Sequence, residues 1–153
     1  MKRIILVTGM PRQGKTHLTN RLVTEFSFAA LSVDQAYLDF VKTRCPMLYF
    51  EALHLYIGPH YDAIIENGDD YSNAHLGRGF DAEWRRYLAT RIRGMASLHD
   101  NLAVEGYLLK CCDSQFDQML ASVGPLFRVS TEGGRYYFQG RELSAGMIAA
   151  LGT

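Results

Sequence analysis

Residues 9–16 read Gly9-Met10-Pro11-Arg12-Gln13-Gly14-Lys15-Thr16. They follow the apolar run Arg3-Ile4-Ile5-Leu6-Val7-Thr8 and lead into a stretch where Leu18, Leu22 and Phe26 recur at a spacing of four. The run reads as a buried strand and the stripe as a helix over about Gly14–Glu25. Between them, Gly9 and Gly14 lack side chains, so the backbone can curl around an anion and adopt positive φ where needed. The N–H groups of such a turn point inward, and the helix behind adds the partial positive charge of its N-terminus. Lys15 brings an ammonium that can bridge two phosphates, and the Thr16 hydroxyl is a hard oxygen able to ligate Mg²⁺. Pro11 stiffens the turn by fixing its own φ. Arg12 either reaches the phosphates or stands as an exposed loop arginine.

Three further apolar runs, Phe28–Val33, Asn101–Glu105 and Leu126–Ser130, also lack polar alternation. Continuous apolar strands suit a parallel sheet covered on both faces, and the helical stretches between them suit βαβ units. A helix is expected over Gln35–Arg44, stopped by Pro46, and a short one over Met47–Ile57. Asn67–Phe80 reads as a mobile loop. Asp81 is expected to cap a long helix with a buried stripe of Trp84, Tyr87, Leu88, Ile92 and Met95, leaving Arg85, Arg86 and Arg93 on its solvated side. A shorter helix covers Ser114–Ala121. Gly133-Gly134 opens a hairpin with arms Arg135–Gln139 and Arg141–Leu143 turning near Gly140, and Ala145–Thr153 makes a final helical turn.

In an open parallel sheet the strand ends converge on a cleft at the carboxyl edge. Asp34, after the second strand, and Glu105, ending the third, are thereby expected beside the Gly9–Thr16 turn. Two carboxylates next to a triphosphate can divide two tasks: one helps hold Mg²⁺, the other accepts a proton from an acceptor hydroxyl. Asp34 is assigned the second task and Glu105 the first, and the two are interchangeable on sequence grounds. Asp34 could instead cap the following helix at Gln35.

The pattern Gly9-x-x-x-x-Gly14-Lys15-Thr16, between a strand and a helix, resembles the phosphate loop of the P-loop NTPase superfamily. The resemblance implies an α/β, three-layer, doubly wound, mostly parallel sheet with ATP or GTP at its carboxyl end. The nucleotide would lie on Gly9, Met10, Pro11, Arg12, Gln13, Gly14, Lys15, Thr16 and His17, with Mg²⁺ held by Thr16 and Glu105. Over residues 3–130 the layout is similar to small-molecule kinases of the chloramphenicol phosphotransferase-like group, through Val33-Asp34-Gln35-Ala36-Tyr37-Leu38 and Val104-Glu105-Gly106. That likeness implies transfer of the γ-phosphoryl group to a small-molecule hydroxyl, with Lys15, Asp34 and Glu105 as the catalytic groups. Such kinases follow the fourth strand with an arginine-bearing lid helix. Here Arg128, Arg135 and Arg141 are the late arginines and the segment reads as a hairpin, so a nucleotide-binding or NTPase module without transfer is the alternative. Gly9-Met10-Pro11-Arg12-x-Gly14-x-Thr16-x-Leu18 is also similar to the phosphosulfate loop of sulfotransferases, although Gln13 and Lys15 stand where that family has Ser and Thr.

The remaining composition narrows the classes. The 153 residues fit one domain, with no repeats or linkers. Sixteen basic residues balance sixteen acidic ones, which argues against nucleic-acid or membrane-surface binding through bulk charge. Cys45, Cys111 and Cys112 form neither a disulfide framework nor a Cys-x-x-Cys zinc motif, and a reducing cytoplasm is expected. The opening apolar run is too short for a signal peptide, and no segment approaches the length of a membrane span. His54 and His60 flank a turn and could form a site with Asp62, but read as surface histidines; Asp69-Asp70 could attract a cation or an amine, but read as solvated loop charge. Tyr49, Phe50, Tyr56 and Tyr61 read as core or cleft lining, and Arg44 and Arg78 are candidates for contacting an anionic acceptor.

Overall fold

In a computed structural model, the structure describes residues 3–9, 14–44, 81–106, 109 and 114–153. The readings of Met47–Ile57 and Asn67–Phe80 lie outside these residues, as do Pro46, Arg78, the three cysteines, and the histidines and aromatics between 49 and 75.

The elements, in chain order, are β1 (Arg3–Thr8), α1 (Lys15–Phe26), β2 (Ala29–Ser32), α2 (Val33–Arg44), α3 (Asp81–Leu98), β3 (Asn101–Glu105), α4 (Ser114–Leu120), β4 (Leu126–Glu132), β5 (Arg135–Phe138), β6 (Arg141–Glu142) and α5 (Ala145–Gly152). The strands form one mixed six-stranded sheet in the order β2-β3-β1-β4-β5-β6. β2, β3, β1 and β4 run parallel, and β4, β5 and β6 form an antiparallel meander.

β1 is apolar from Ile4 to Val7 because both of its faces are covered there. Ile4 and Leu6 enter a core with Leu31, Leu102 and Val104, roofed by Tyr37, Phe40, Trp84, Leu88, Ile92 and Phe116 of α2, α3 and α4. Ile5 and Val7 point the other way, into a core with Leu18 and Leu22 of α1, Val129, Tyr136 and Ile148 of α5. Under the first roof Tyr37 meets Trp84 edge-on at 5.0 Å between ring centroids, and Phe40 lies 5.3 Å from Tyr87. On α3, Trp84, Leu88 and Ile92 are buried and Tyr87 and Met95 pack against them, which is the expected stripe. Arg86 and Arg93 are exposed, and Arg93 reaches across to donate to the Met119 carbonyl of α4.

Three departures from expectation have a local reason. The second strand ends at Ser32 and Val33 already belongs to α2, because the Ser32 hydroxyl accepts the Gln35 N–H at 3.2 Å and starts the helix there. Asp34 therefore does not cap Gln35. Gly133-Gly134 turns β4 directly back into β5, so the expected hairpin is the outer part of a meander that widens the sheet. Gly133 and Gly134 have φ of 58° and 77°, and Gln139 and Gly140 at the next turn have 51° and 77°, the pair of positive angles a two-residue hairpin of the right twist requires. The tail is a helix rather than a single turn: Ser144 accepts the Met147 N–H at 3.2 Å, and Arg3 closes the far end by donating to the Leu151 and Gly152 carbonyls.

Candidate functional site

The sheet register lines up three strand ends. Val7 of β1 and Ser32 of β2 both stand opposite Glu105 of β3. Gly9 emerges one residue beyond β1, Asp34 two residues beyond β2, and Gly106 immediately beyond β3, its N–H donating to the Val7 carbonyl at 3.1 Å. Asp34 and Glu105 are thus delivered to the edge at which the Gly9–Thr16 stretch begins.

The two glycines of that stretch take the positive φ expected of them. Gly9 has φ of 154° and Gly14 a φ of 100°. Gly14 stands at the N-cap of α1 in the left-handed region; among the described residues no side chain caps the helix, and no acidic residue occupies its first turn. A helix N-terminus of this kind carries partial positive charge, which favours an anion. Met10, Pro11, Arg12 and Gln13 lie outside the described residues. His17 sits in the first turn of α1 with its side chain exposed.

Lys15, first residue of α1, is only 6% exposed. Burial pulls its ammonium below the usual lysine value, while the Asp34 and Glu105 carboxylates act to raise it. Asp34 responds in kind: burial pushes its carboxyl up to about 6, with Lys15 acting to lower it and Glu105 to raise it. The Asp34 Oδ1 is buried and has no hydrogen-bond partner among the described residues. A buried carboxylate oxygen left without a donor is costly, and it marks a place where a donor from outside the chain would be welcome. Gly106 makes room for this carboxylate. A Cβ there would lie 2.6 Å from Val33 Cβ and 3.3 Å from Asp34 Oδ1, so a side chain at 106 would push the first turn of α2 away.

The Thr16 hydroxyl donates to Glu105 Oε1 at 3.3 Å. The sequence-derived residues Lys15, Thr16, Asp34 and Glu105 are thus neighbours. Among the described residues no group of three or more His, Cys, Asp or Glu side chains could hold a metal ion. A hydroxyl and one carboxylate are hard oxygen donors of the kind Mg²⁺ takes when its other positions belong to phosphates and water, so this pair fits that ion. No described helix is long and apolar enough to cross a membrane.

Sequence reasoning missed the neighbours contributed by the meander. Thr131 of β4 is buried against Gly9, and Tyr136 of β5 donates its hydroxyl to the Gly14 carbonyl at 3.3 Å. Gly133-Gly134 announced the turn, but no local signal told which face of the hairpin would meet residues more than a hundred positions away. Two of the three late arginines are engaged elsewhere: Arg128 pairs with Asp117 of α4, and Arg135 lies 3.8 Å from Glu142.

No protein-family model matches this chain, and no curated protein matches it.

Proposed function

We propose that the chain is a P-loop phosphotransferase of doubly wound topology that binds a nucleoside triphosphate with Mg²⁺ along Gly9–Thr16 and passes the γ-phosphoryl group to a small-molecule hydroxyl. One observation carries the reading: a buried lysine at a helix N-terminus feels two carboxylates, one of which accepts the Thr16 hydroxyl while the other has a bare buried oxygen.

The bare Asp34 Oδ1 accepts the hydrogen of the acceptor hydroxyl and so aims that oxygen at the γ-phosphorus. As the new P–O bond forms, the proton passes to the Asp34 carboxylate. The bond between the γ-phosphorus and the β–γ bridging oxygen breaks, and the electron pair leaves with the nucleoside diphosphate. A base with a pKa of about 6 is ionised at neutral pH and still basic enough to take a proton. Lys15 neutralises charge between the β- and γ-phosphates, and the α1 N–H groups hold them. Thr16 and Glu105 would hold Mg²⁺, which supplies further neutralisation of phosphate charge when bound.

The segment after β4 favours a second reading, nucleotide binding without transfer. It is a meander with two of its arginines paired to carboxylates, followed by a helix, α5, that carries no charged residue. The two readings separate by product. Incubated with Mg²⁺-ATP and a pool of small hydroxyl compounds, a transferase forms a new phosphomonoester, and Asp34→Asn suppresses it while leaving nucleotide binding intact. Release of inorganic phosphate alone, or no turnover, selects the module without transfer. Binding of adenosine 3′,5′-bisphosphate in preference to ATP would point instead to a phosphosulfate donor.

A further inference from the structure

The β4–β5 hairpin grips both glycines that bracket the Gly9–Thr16 stretch. At the first, the Thr131 hydroxyl donates to the Thr8 carbonyl at 3.4 Å, and a Cβ on Gly9 would stand 2.4 Å from Thr131 Oγ1 and 2.7 Å from the Thr131 carbonyl oxygen. At the second, Tyr136 donates to the Gly14 carbonyl, and a Cβ on Gly14 would stand 3.4 Å from Gly134 Cα and 3.6 Å from the Tyr136 hydroxyl. Thr131 and Tyr136 are directly opposite each other across the hairpin, so both point from one face. The two-residue turn at Gly133-Gly134 fixes the arms that carry them.

The Gly14 carbonyl oxygen takes two donors, the Tyr136 hydroxyl at 3.3 Å and the Leu18 N–H at 3.2 Å. That oxygen and the Lys15 N–H belong to a single planar peptide unit and point in opposite directions. Whatever holds the oxygen therefore sets the direction of the N–H, and hydrogen bonding at the oxygen polarises the N–H as well. Gly14, at φ of 100°, has no side chain to restrict this peptide by itself.

We propose that Tyr136 is a positioning residue for phosphate recognition: its hydroxyl locks the Gly14–Lys15 peptide so that the Lys15 N–H faces the bound polyphosphate. This role rests on the phosphate-loop reading above. It makes the meander a functional part of the site, since the hairpin sets the orientation of a donor it does not itself supply.

The test uses the full chain and inorganic tripolyphosphate with Mg²⁺, a probe that engages the loop without a base or an acceptor. Tyr136→Phe keeps the ring in the core and removes the hydroxyl. Losing one hydrogen bond that acts through the peptide should weaken tripolyphosphate binding roughly three- to tenfold. The Lys15 amide resonance should also shift in the unliganded protein, a change that loss of packing would not confine to that peptide. Tyr137→Phe on the opposite face should alter neither. Replacing Tyr136 with 3-fluorotyrosine, a stronger donor of nearly the same shape, should move affinity the other way, and it decides the matter should Tyr136→Phe fail to fold. Unchanged affinity and an unchanged Lys15 amide in a folded Tyr136→Phe protein overturn the positioning role and leave the phosphate-loop reading standing. Failure of the wild-type chain to bind tripolyphosphate overturns both.

Discussion

Replacing Gly106 with Ala tests the packing that presents Asp34. The added Cβ would lie 2.6 Å from Val33 Cβ, whereas unstrained carbon atoms sit about 3.5–4.0 Å apart. Relief requires a relative shift of about 1 Å between the end of β3 and the first turn of α2. Overpacking of this kind costs about 1–3 kcal/mol. Against it stands the restriction of the unfolded chain by alanine, worth about 0.4–1 kcal/mol where the residue fits without strain. The net expectation is a loss of about 1–2 kcal/mol. Gly94→Ala is the control, because a Cβ there meets nothing within 4 Å and the residue lies inside α3. That substitution should stabilise by about 0.5–1 kcal/mol. Urea unfolding followed by circular dichroism reads both, and the two alanines should move the midpoint in opposite directions. The shift at 106 also displaces Asp34, one residue after Val33, and, if the proposed function holds, a misplacement of about 1 Å should lower phosphoryl transfer by about 100-fold. A Gly106→Ala protein as stable as the wild type would refute the close approach and, with it, this account of how Asp34 is presented.

Two further outcomes follow from the same contacts. Because the Asp34 pKa is raised to about 6 from 3.8, the folded chain holds a proton that the unfolded chain has already released between those values. The contribution of Asp34 to stability is therefore fully present below about pH 4 and lost as pH rises to about 6, on the order of 3 kcal/mol in all, and Asp34→Asn should remove that slope from unfolding free energies measured across the interval. At the other end of β1, Arg3 bonds Asn101 as well as the last carbonyls of α5, and Arg3→Ala should cost about 1–2 kcal/mol and speed amide exchange in 145–152 before the rest of the sheet.

Much of the fold is written in short-range pattern. β1 and β3 have the expected bounds because each is an unbroken apolar run closed by a polar or glycine residue, and both lie in the sheet's interior where nothing competes with that signal. The positive φ of Gly9 and Gly14 was legible because glycine spacing constrains backbone directly. Val33 misled because a β-branched residue after Ala29–Ser32 reads as strand, while the Ser32 cap and the space left by Gly106 admit it to a helix. That Asp34 and Glu105 reach the edge where α1 begins was legible from strand-end logic, and Lys15 and Thr16 from the glycine spacing before them. The burial of the Asp34 oxygen was not, since it depends on Gly106 some seventy residues away. Tyr136 was not either: its bond to Gly14 spans 122 positions, and nothing within β5 distinguishes it from Tyr137 before the sheet is assembled.

If the Gly9–Thr16 stretch, with the buried Lys15 at its end, grips a polyphosphate, ATP with Mg²⁺ must bind through it. In isothermal titration, the wild-type chain should bind ATP saturably, and in Lys15→Ala that binding should be weakened at least about 100-fold or lost, as expected when a charge-assisted contact to phosphate is removed. Equal affinity in the two proteins, or no binding to a folded wild type, would contradict this reading.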